Sequence, residues 1–280
     1  MNAVRTVVVH AARRAVALLV FVATAAVAQI DERTLVLDNG RDGPVALPVT
    51  QLVEQYELQT LTIDDIEYKA PHTYLGLDLK TLLTKGGFRP GALLLLVCTD
   101  GYSIPFDSNV LLSNEWQGLL ALRDQAATGN NYFVPFDHGG EKVDFAPFYL
   151  VWSPLNGATS TTTASDLPWP YQLTQIRMLQ PADYQSAMPP ADAPATVQAG
   201  FDLYFKQCIK CHSVNGSGGT LGKPLDKANG LAALLASGTV RGDIINISTR
   251  YPQTKMPVYG DSFRAEQLDA LVSYLRWVAQ

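Results

Sequence analysis

The sequence is poor in cysteine, in charge and in nucleotide-binding motifs. Three cysteines among 280 residues are too few for a disulfide framework, and the odd number leaves at least one thiol to be explained otherwise. Charged residues make up only 17%, with 21 Lys and Arg against 26 Asp and Glu. A chain without a basic excess is poorly suited to neutralising phosphates, so nucleic acid is not an expected partner. The 47% hydrophobic content excludes a disordered tail and suffices for more than one core. After the first 28 residues no apolar run approaches the roughly 20 residues of a membrane span; Leu93 to Val97 is only strand-sized. There is no internal repeat of useful length, no Ser-His-Asp order, no P-loop and no dinucleotide glycine motif.

The first 28 residues stand apart. Arg5, Arg13 and Arg14 precede an uncharged apolar run from Ala15 to Val27, and Ala26-Val27-Ala28 gives a small-x-small pattern before Gln29. This reads as a signal peptide cleaved after Ala28, which predicts a periplasmic protein without a stable membrane span. Removing the segment takes the formal net charge from −5 to −8, because its basic residues have no acidic counterpart.

Between Gln29 and Gln180 short apolar and β-branched runs alternate with Gly, Pro, Asn and Asp clusters, the pattern of a strand-rich domain. Strands are expected at Thr34 to Leu37, Leu58 to Ile63, Leu93 to Cys98, Tyr132 to Phe136, Phe145 to Trp152 and Tyr171 to Leu179. Asp78 to Lys85 reads as a short amphipathic helix stopped by Gly86-Gly87. Residues 181–197, rich in proline and alanine, read as a linker. In residues 198–280, helical spacing over Ala199 to Ile209 and Ala265 to Ala279, with Gly-rich loops between, predicts a small, mostly helical domain.

Cys208-Ile209-Lys210-Cys211-His212 is C-x-x-C-H, the attachment signature for c-type haem. Two thiols one helical turn apart bond to the vinyl groups on one edge of a porphyrin, and the adjacent histidine lies beneath the iron as axial ligand. A zinc ribbon would need further Cys or His after His212, and none occurs. A six-coordinate haem needs a second axial ligand. Met256 is the one methionine after the motif and is the first candidate, ahead of Met188, His72 and His138. The carbonyl of Pro224 is a candidate acceptor for the His212 ring N–H, and a turn proline is the alternative reading.

At this point Ala199 to Gln280 resembles a small class I cytochrome c. Gly200, Tyr204 and Cys208 fall at that family's spacing on the first helix, Leu271 and Tyr274 match the terminal-helix residues that cross it, and Gly222-Lys223-Pro224-Leu225 resembles its Gly-Pro-x-Leu turn with a residue intervening. The resemblance implies a three-helix cytochrome fold, one covalent haem c on Cys208 and Cys211, Tyr204 and Pro224 beside it, and His212/Met256 ligation. It also implies one-electron exchange with a redox partner protein or an oxidase or dehydrogenase complex.

Tyr74 to Gly91, with the apolar strand after it and Asp100-Gly101-Tyr102, resembles the molybdopterin-binding domain of the sulfite oxidase family over roughly Val45 to Leu179. His138-Gly139-Gly140 and Phe145 to Trp152 follow in the order that fold implies. The overall expectation is a multidomain chain: an N-terminal α+β, strand-rich, sulfite-oxidase-like fold and a C-terminal all-α cytochrome c fold. That family's molybdenum-ligating cysteine would lie upstream of Tyr74, where Leu58 to Tyr68 has none. Cys98 lies one strand later on an apolar approach and is read as a buried, inert thiol. Molybdopterin is therefore not expected, and the first domain is read as a docking or binding module, with no catalytic residue assigned. A molybdenum-dependent oxidoreductase of a small oxyanion, using haem c as internal electron acceptor, is the alternative reading. A haem sensor, which would need a displaceable Met256, is the other. Asp64, Asp65 and Glu67 read as an exposed acidic turn, and His138 as a structural loop histidine.

Overall fold

The computed structural model describes residues 31–138, 140–155 and 163–280, so the expected signal segment lies outside the described residues. The strand-rich part runs β1 (Thr34–Asp38), β2 (Val45–Pro48), α1 (Val49–Gln55), β3 (Leu58–Asp65), β4 (Ala70–Asp78), α2 (Leu79–Lys85), β5 (Leu93–Cys98), β6 (Ser103–Asp107), β7 (Trp116–Asp124), β8 (Phe136–His138), β9 (Glu141–Val143), β10 (Tyr149–Pro154) and β11 (Leu173–Met178). Two sheets carry it, in the orders β2-β1-β11-β5-β6 and β10-β7-β4-β3, with β8-β9 as a separate ribbon. First and last strands, β1 and β11, pair in parallel.

Local chemistry sets the elements. The Asp78 side chain accepts from Thr81 N–H at the start of α2, and Gly86 ends it. β5 alternates: Leu94, Leu96 and Cys98 face the core, whereas Leu93, Leu95 and Val97 keep some exposure. A strand apolar on both faces is one whose second face is also partly covered. The expected strand from Tyr132 to Phe136 does not form before Phe136. Phe133 is instead buried in the core from a loop, where Pro135 removes a ladder donor.

The helical part contains α3 (Ala195–Leu203), α4 (Leu231–Ala236), α5 (Val240–Asn246) and α6 (Ala265–Val278). α4 and α5 occupy a stretch expected as loops, so the helical part has four α-helices rather than three among the described residues. α3 and α6 cross at Gly200, where a Cβ would lie 2.0 Å from the Ala270 carbonyl oxygen. Around that crossing Phe201, Tyr204, Leu271, Tyr274 and Leu275 form a core separate from that of the sheets. The proline-rich stretch before α3 is an ordered strap: Ala187 is buried and its carbonyl accepts from Tyr274 Oη at 2.7 Å, and Tyr184 packs edge-on against Phe205. Among the described residues no helix is long and apolar enough to cross a membrane.

Candidate functional site

The end of the first long helix of the helical part widens into a π-type turn over Tyr204–Cys208, with Ile209 N–H donating to the Tyr204 carbonyl at 2.9 Å. A further turn follows at once, since both Cys211 and His212 N–H groups donate to the Cys208 carbonyl, at 3.1 and 2.9 Å. This winding brings Cys208, Cys211 and His212 together, and both thiols are free. Burial pushes the Cys208 thiol up to about 12 and the Cys211 thiol to about 11, with each further raised by neighbouring negative charge. Tyr204 is fully buried behind the turn, where its hydroxyl donates to the His212 carbonyl at 2.7 Å. It thus fixes the backbone of the histidine.

The His212 ring rests on the loop that follows. Its Nδ1 lies 2.7 Å from the Lys223 carbonyl oxygen, so Nδ1–H donates there and Nε2 is left with a free lone pair. The acceptor is therefore Lys223 and not Pro224. Gly222 N–H is tied to the Cys211 carbonyl and Leu225 N–H to the Ser213 carbonyl, each at 2.7 Å. The loop is pinned at both ends, and in that register the carbonyl presented to the ring belongs to the residue before the proline. A Cβ on Gly222 would stand 2.5 Å from the His212 ring, so only glycine admits the imidazole here.

Met256 lies partly buried in the loop before α6, with its N–H donating to Thr254 Oγ1 at 3.1 Å. The loop is tied back by Tyr259 N–H to the Ile245 carbonyl at 3.0 Å. Burial, and after it the nearby Cys208 and Cys211 thiols, pushes the Tyr259 hydroxyl up to about 12. Tyr259, three residues after Met256, thus lies near the attachment turn. Two free thiols one turn apart beside an imidazole with its Nε2 unengaged fit the covalent attachment of a haem.

The strand-rich part reaches this turn. Between β5 and β6, Thr220 N–H donates to the Gly101 carbonyl at 2.9 Å and Ser103 N–H donates to the Lys210 carbonyl at 2.8 Å. Burial, followed by the Cys211 thiol, raises the hydroxyl pKa of Tyr102, which lies between those two anchors. Asp100-Gly101-Tyr102 is thus where the sheets meet the C-x-x-C-H turn. This contact joins residues a hundred positions apart and leaves no local mark in the sequence.

The remaining candidates are not gathered into a second site. Asp65 is not in an exposed acidic turn: it is 1% exposed, and its carboxylate accepts from the Glu67 and Tyr68 N–H groups and from the Tyr74 and Tyr149 hydroxyls. Strand alternation explains this, because Asp65 shares the inward face with Ile63. His72 Nδ1 meets the buried Asp124 carboxylate at 2.6 Å and stacks on Tyr68. Cys98 is buried in the sheet core, and burial followed by the charge of Asp100 pushes its thiol up to about 12. Of His138 only its place at the end of β8 is described.

Residues 195–275 match the family described as "Cytochrome C oxidase, cbb3-type, subunit III". Among solved structures, the crystal structure of the sulfane dehydrogenase SoxCD from Paracoccus pantotrophus is similar at 13% identity with a TM-score of 0.33. That match covers 53% of this chain and 38% of the SoxCD chain, so this chain spans well under half of that protein's length. No curated protein matches the chain.

Proposed function

With a cytochrome c domain over residues 195–275, we propose that the chain is an exported, one-haem c-type cytochrome that passes single electrons to or from a redox partner. In this reading the signal peptide is cleaved after Ala28, the protein works in the periplasm, and the domains divide at residues 29–180, 181–197 and 198–280. The observation that carries it is the attachment turn, with Cys208 and Cys211 one turn apart and the His212 ring oriented by the Lys223 carbonyl. When bound, the haem supplies an iron that changes oxidation state by one electron.

The chain's own residues give that group its setting. Cys208 and Cys211 would anchor it covalently, and His212 Nε2 and the Met256 thioether would hold its iron. Gly222 leaves room for the ring, and Tyr204 holds the His212 backbone from behind. With both of these residues holding the iron, it would serve in electron transfer, and no bond chemistry there is proposed. The strand-rich part, proposed to have a sulfite-oxidase-like fold without molybdopterin, serves as a docking module whose β5–β6 turn is bonded to the haem-binding turn.

The test is the metal content of protein matured in a host that supplies both cofactors. One iron and no molybdenum per chain is expected. Near-stoichiometric molybdenum would overturn the reading in favour of an oxidoreductase with a built-in electron acceptor.

A further inference from the structure

A cleft of about 340 Å³ lies between the outer face of the five-stranded sheet and the haem-attachment segment. Its floor is two rungs of the sheet, Arg177–Leu95–Pro105 and Gln175–Val97–Ser103, read across β11, β5 and β6. Strand alternation turns the intervening residues, such as Leu96, Ile104 and Ile176, into the core. Ile209, Gly218 and Thr220 form the facing wall, and Asp183 stands with Arg177 at one end. The volume falls at the lower end of the range of small-molecule sites.

Three features of the lining define what fits. The first is charge: Arg177 and Asp183 are the only charged residues in it, and the carboxylate holds both terminal guanidinium nitrogens, at 2.7 and 2.6 Å. A cleft whose one cation is paired in this bidentate way favours neither anions nor cations. The second is shape and polarity. An apolar strip from Leu95 and Val97 runs between the Gln175 amide on one side and the Ser103 hydroxyl on the other, and neither polar group bonds another described residue. They sit on strands two spacings apart, about 9.6 Å. An aromatic ring with oxygens at opposite ends can lie across β5 and direct one oxygen toward each of these polar groups. The third is position: Ile209, on the cleft wall, lies between the two attachment cysteines in the chain, so a ligand against it sits beside the attachment turn.

We propose that this cleft binds a small, uncharged hydroquinone, held flat on Leu95 and Val97 between Gln175 and Ser103, as an electron donor to the haem. The inference rests on the electron-carrier reading above. In each transfer the ligand gives one electron to a ferric haem. Complete oxidation to the quinone reduces two ferric haems, in successive encounters with the iron reoxidised by the partner between them, and releases two protons to water.

The experiment has two independent readouts on the haem-loaded protein. Calorimetric titration of the ferric form with 1,4-naphthoquinone needs no electron transfer and should show one saturable site, weakened more than tenfold by Val97→Trp or by Leu95→Trp, which fill the cleft. Stopped-flow reduction by 1,4-naphthohydroquinone should saturate with concentration in the native protein. In each variant the ratio of its rate to the rate with ascorbate should drop at least tenfold. A strictly linear concentration dependence in the native protein, or quinone binding unchanged in both variants, would overturn the proposal. A native protein that neither ascorbate nor dithionite reduces would instead sink the electron-carrier reading, while the titration would still report on the cleft.

Discussion

At His212 one backbone carbonyl decides which ring nitrogen is available to a metal. The Lys223 oxygen takes Nδ1–H, and the imidazole is presented through Nε2. In the proposed function Met256 would be the second ligand of the iron. Met256→Ala should leave haem covalently attached, because Cys208 and Cys211 are untouched, while changing the axial spectrum and lowering the midpoint potential. An unchanged spectrum and potential would remove Met256 as ligand. Cys98 gives a prediction of a different kind. Its thiol is pushed up to about 12 by burial, then by Asp100, whereas an unfolded chain releases that proton near 8.5. The folded protein keeps a proton that the unfolded one loses, so this contribution is complete below about pH 8.5 and declines as pH rises toward 12. The decline is about 1.4 kcal/mol for each pH unit past the unfolded value. With the other two thiols bonded to haem, denaturant unfolding at pH 8.0 and 9.5 should show Cys98→Ser losing less stability than the native protein over that interval. Equal losses would mean that the thiol titrates freely.

Elements differ in how plainly their residues announce them. The α3–α6 crossing was readable through the cytochrome c resemblance carried by Gly200, Leu271 and Tyr274, and its physical basis is that close helix approach demands a residue without a side chain at one point. Gly200→Ala places a Cβ 2.0 Å from a backbone oxygen, and overpacking of this kind costs about 1–3 kcal/mol. Denaturant unfolding should show a loss in that range, and an unchanged midpoint would mean the crossing is looser than described. The C-x-x-C-H turn was equally readable, since covalent chemistry dictates its spacing. The acceptor for His212 was not, because any residue supplies a carbonyl and only loop register chooses among them; Lys223 has no side-chain role that would mark it. Asp65 misled for the opposite reason. Its acidic neighbours suggest a solvated turn, yet its parity with Ile63 on β3 placed it inward, beside Tyr74 and Tyr149. α4 escaped notice because six residues between glycines give too little periodicity to separate a short helix from an apolar loop.

Over the whole molecule, two hydrophobic cores share no residue. Trp116, Trp152 and Trp169 belong to the sheets, whereas Trp277 packs on the helical core. The helical core is the smaller, and in the proposed function a haem at its attachment turn would complete it. A haem-free variant, Cys208→Ala with Cys211→Ala, should therefore lose much of its far-ultraviolet helical signal at temperatures where the near-ultraviolet signal of the sheet tryptophans persists. A single transition removing both would show that the strap and the β5–β6 turn weld the two cores into one cooperative unit. The cleft belongs to this scale as well: its floor and its wall come from stretches of chain thirty to a hundred residues apart, which explains why no motif signals it.

The parallel pairing of β1 with β11 has a consequence for the order in which the molecule is made. The five-stranded sheet closes only when Leu173–Met178 is available, and it needs nothing beyond that point. Cys208 follows 30 residues after Met178. In a chain emerging N-terminus first, the sheets can be complete while the haem-binding turn is still unwound and open to the maturation apparatus. The β5–β6 turn then waits as a finished template, offering the Gly101 carbonyl and the Ser103 N–H, and the attachment segment zips onto it last.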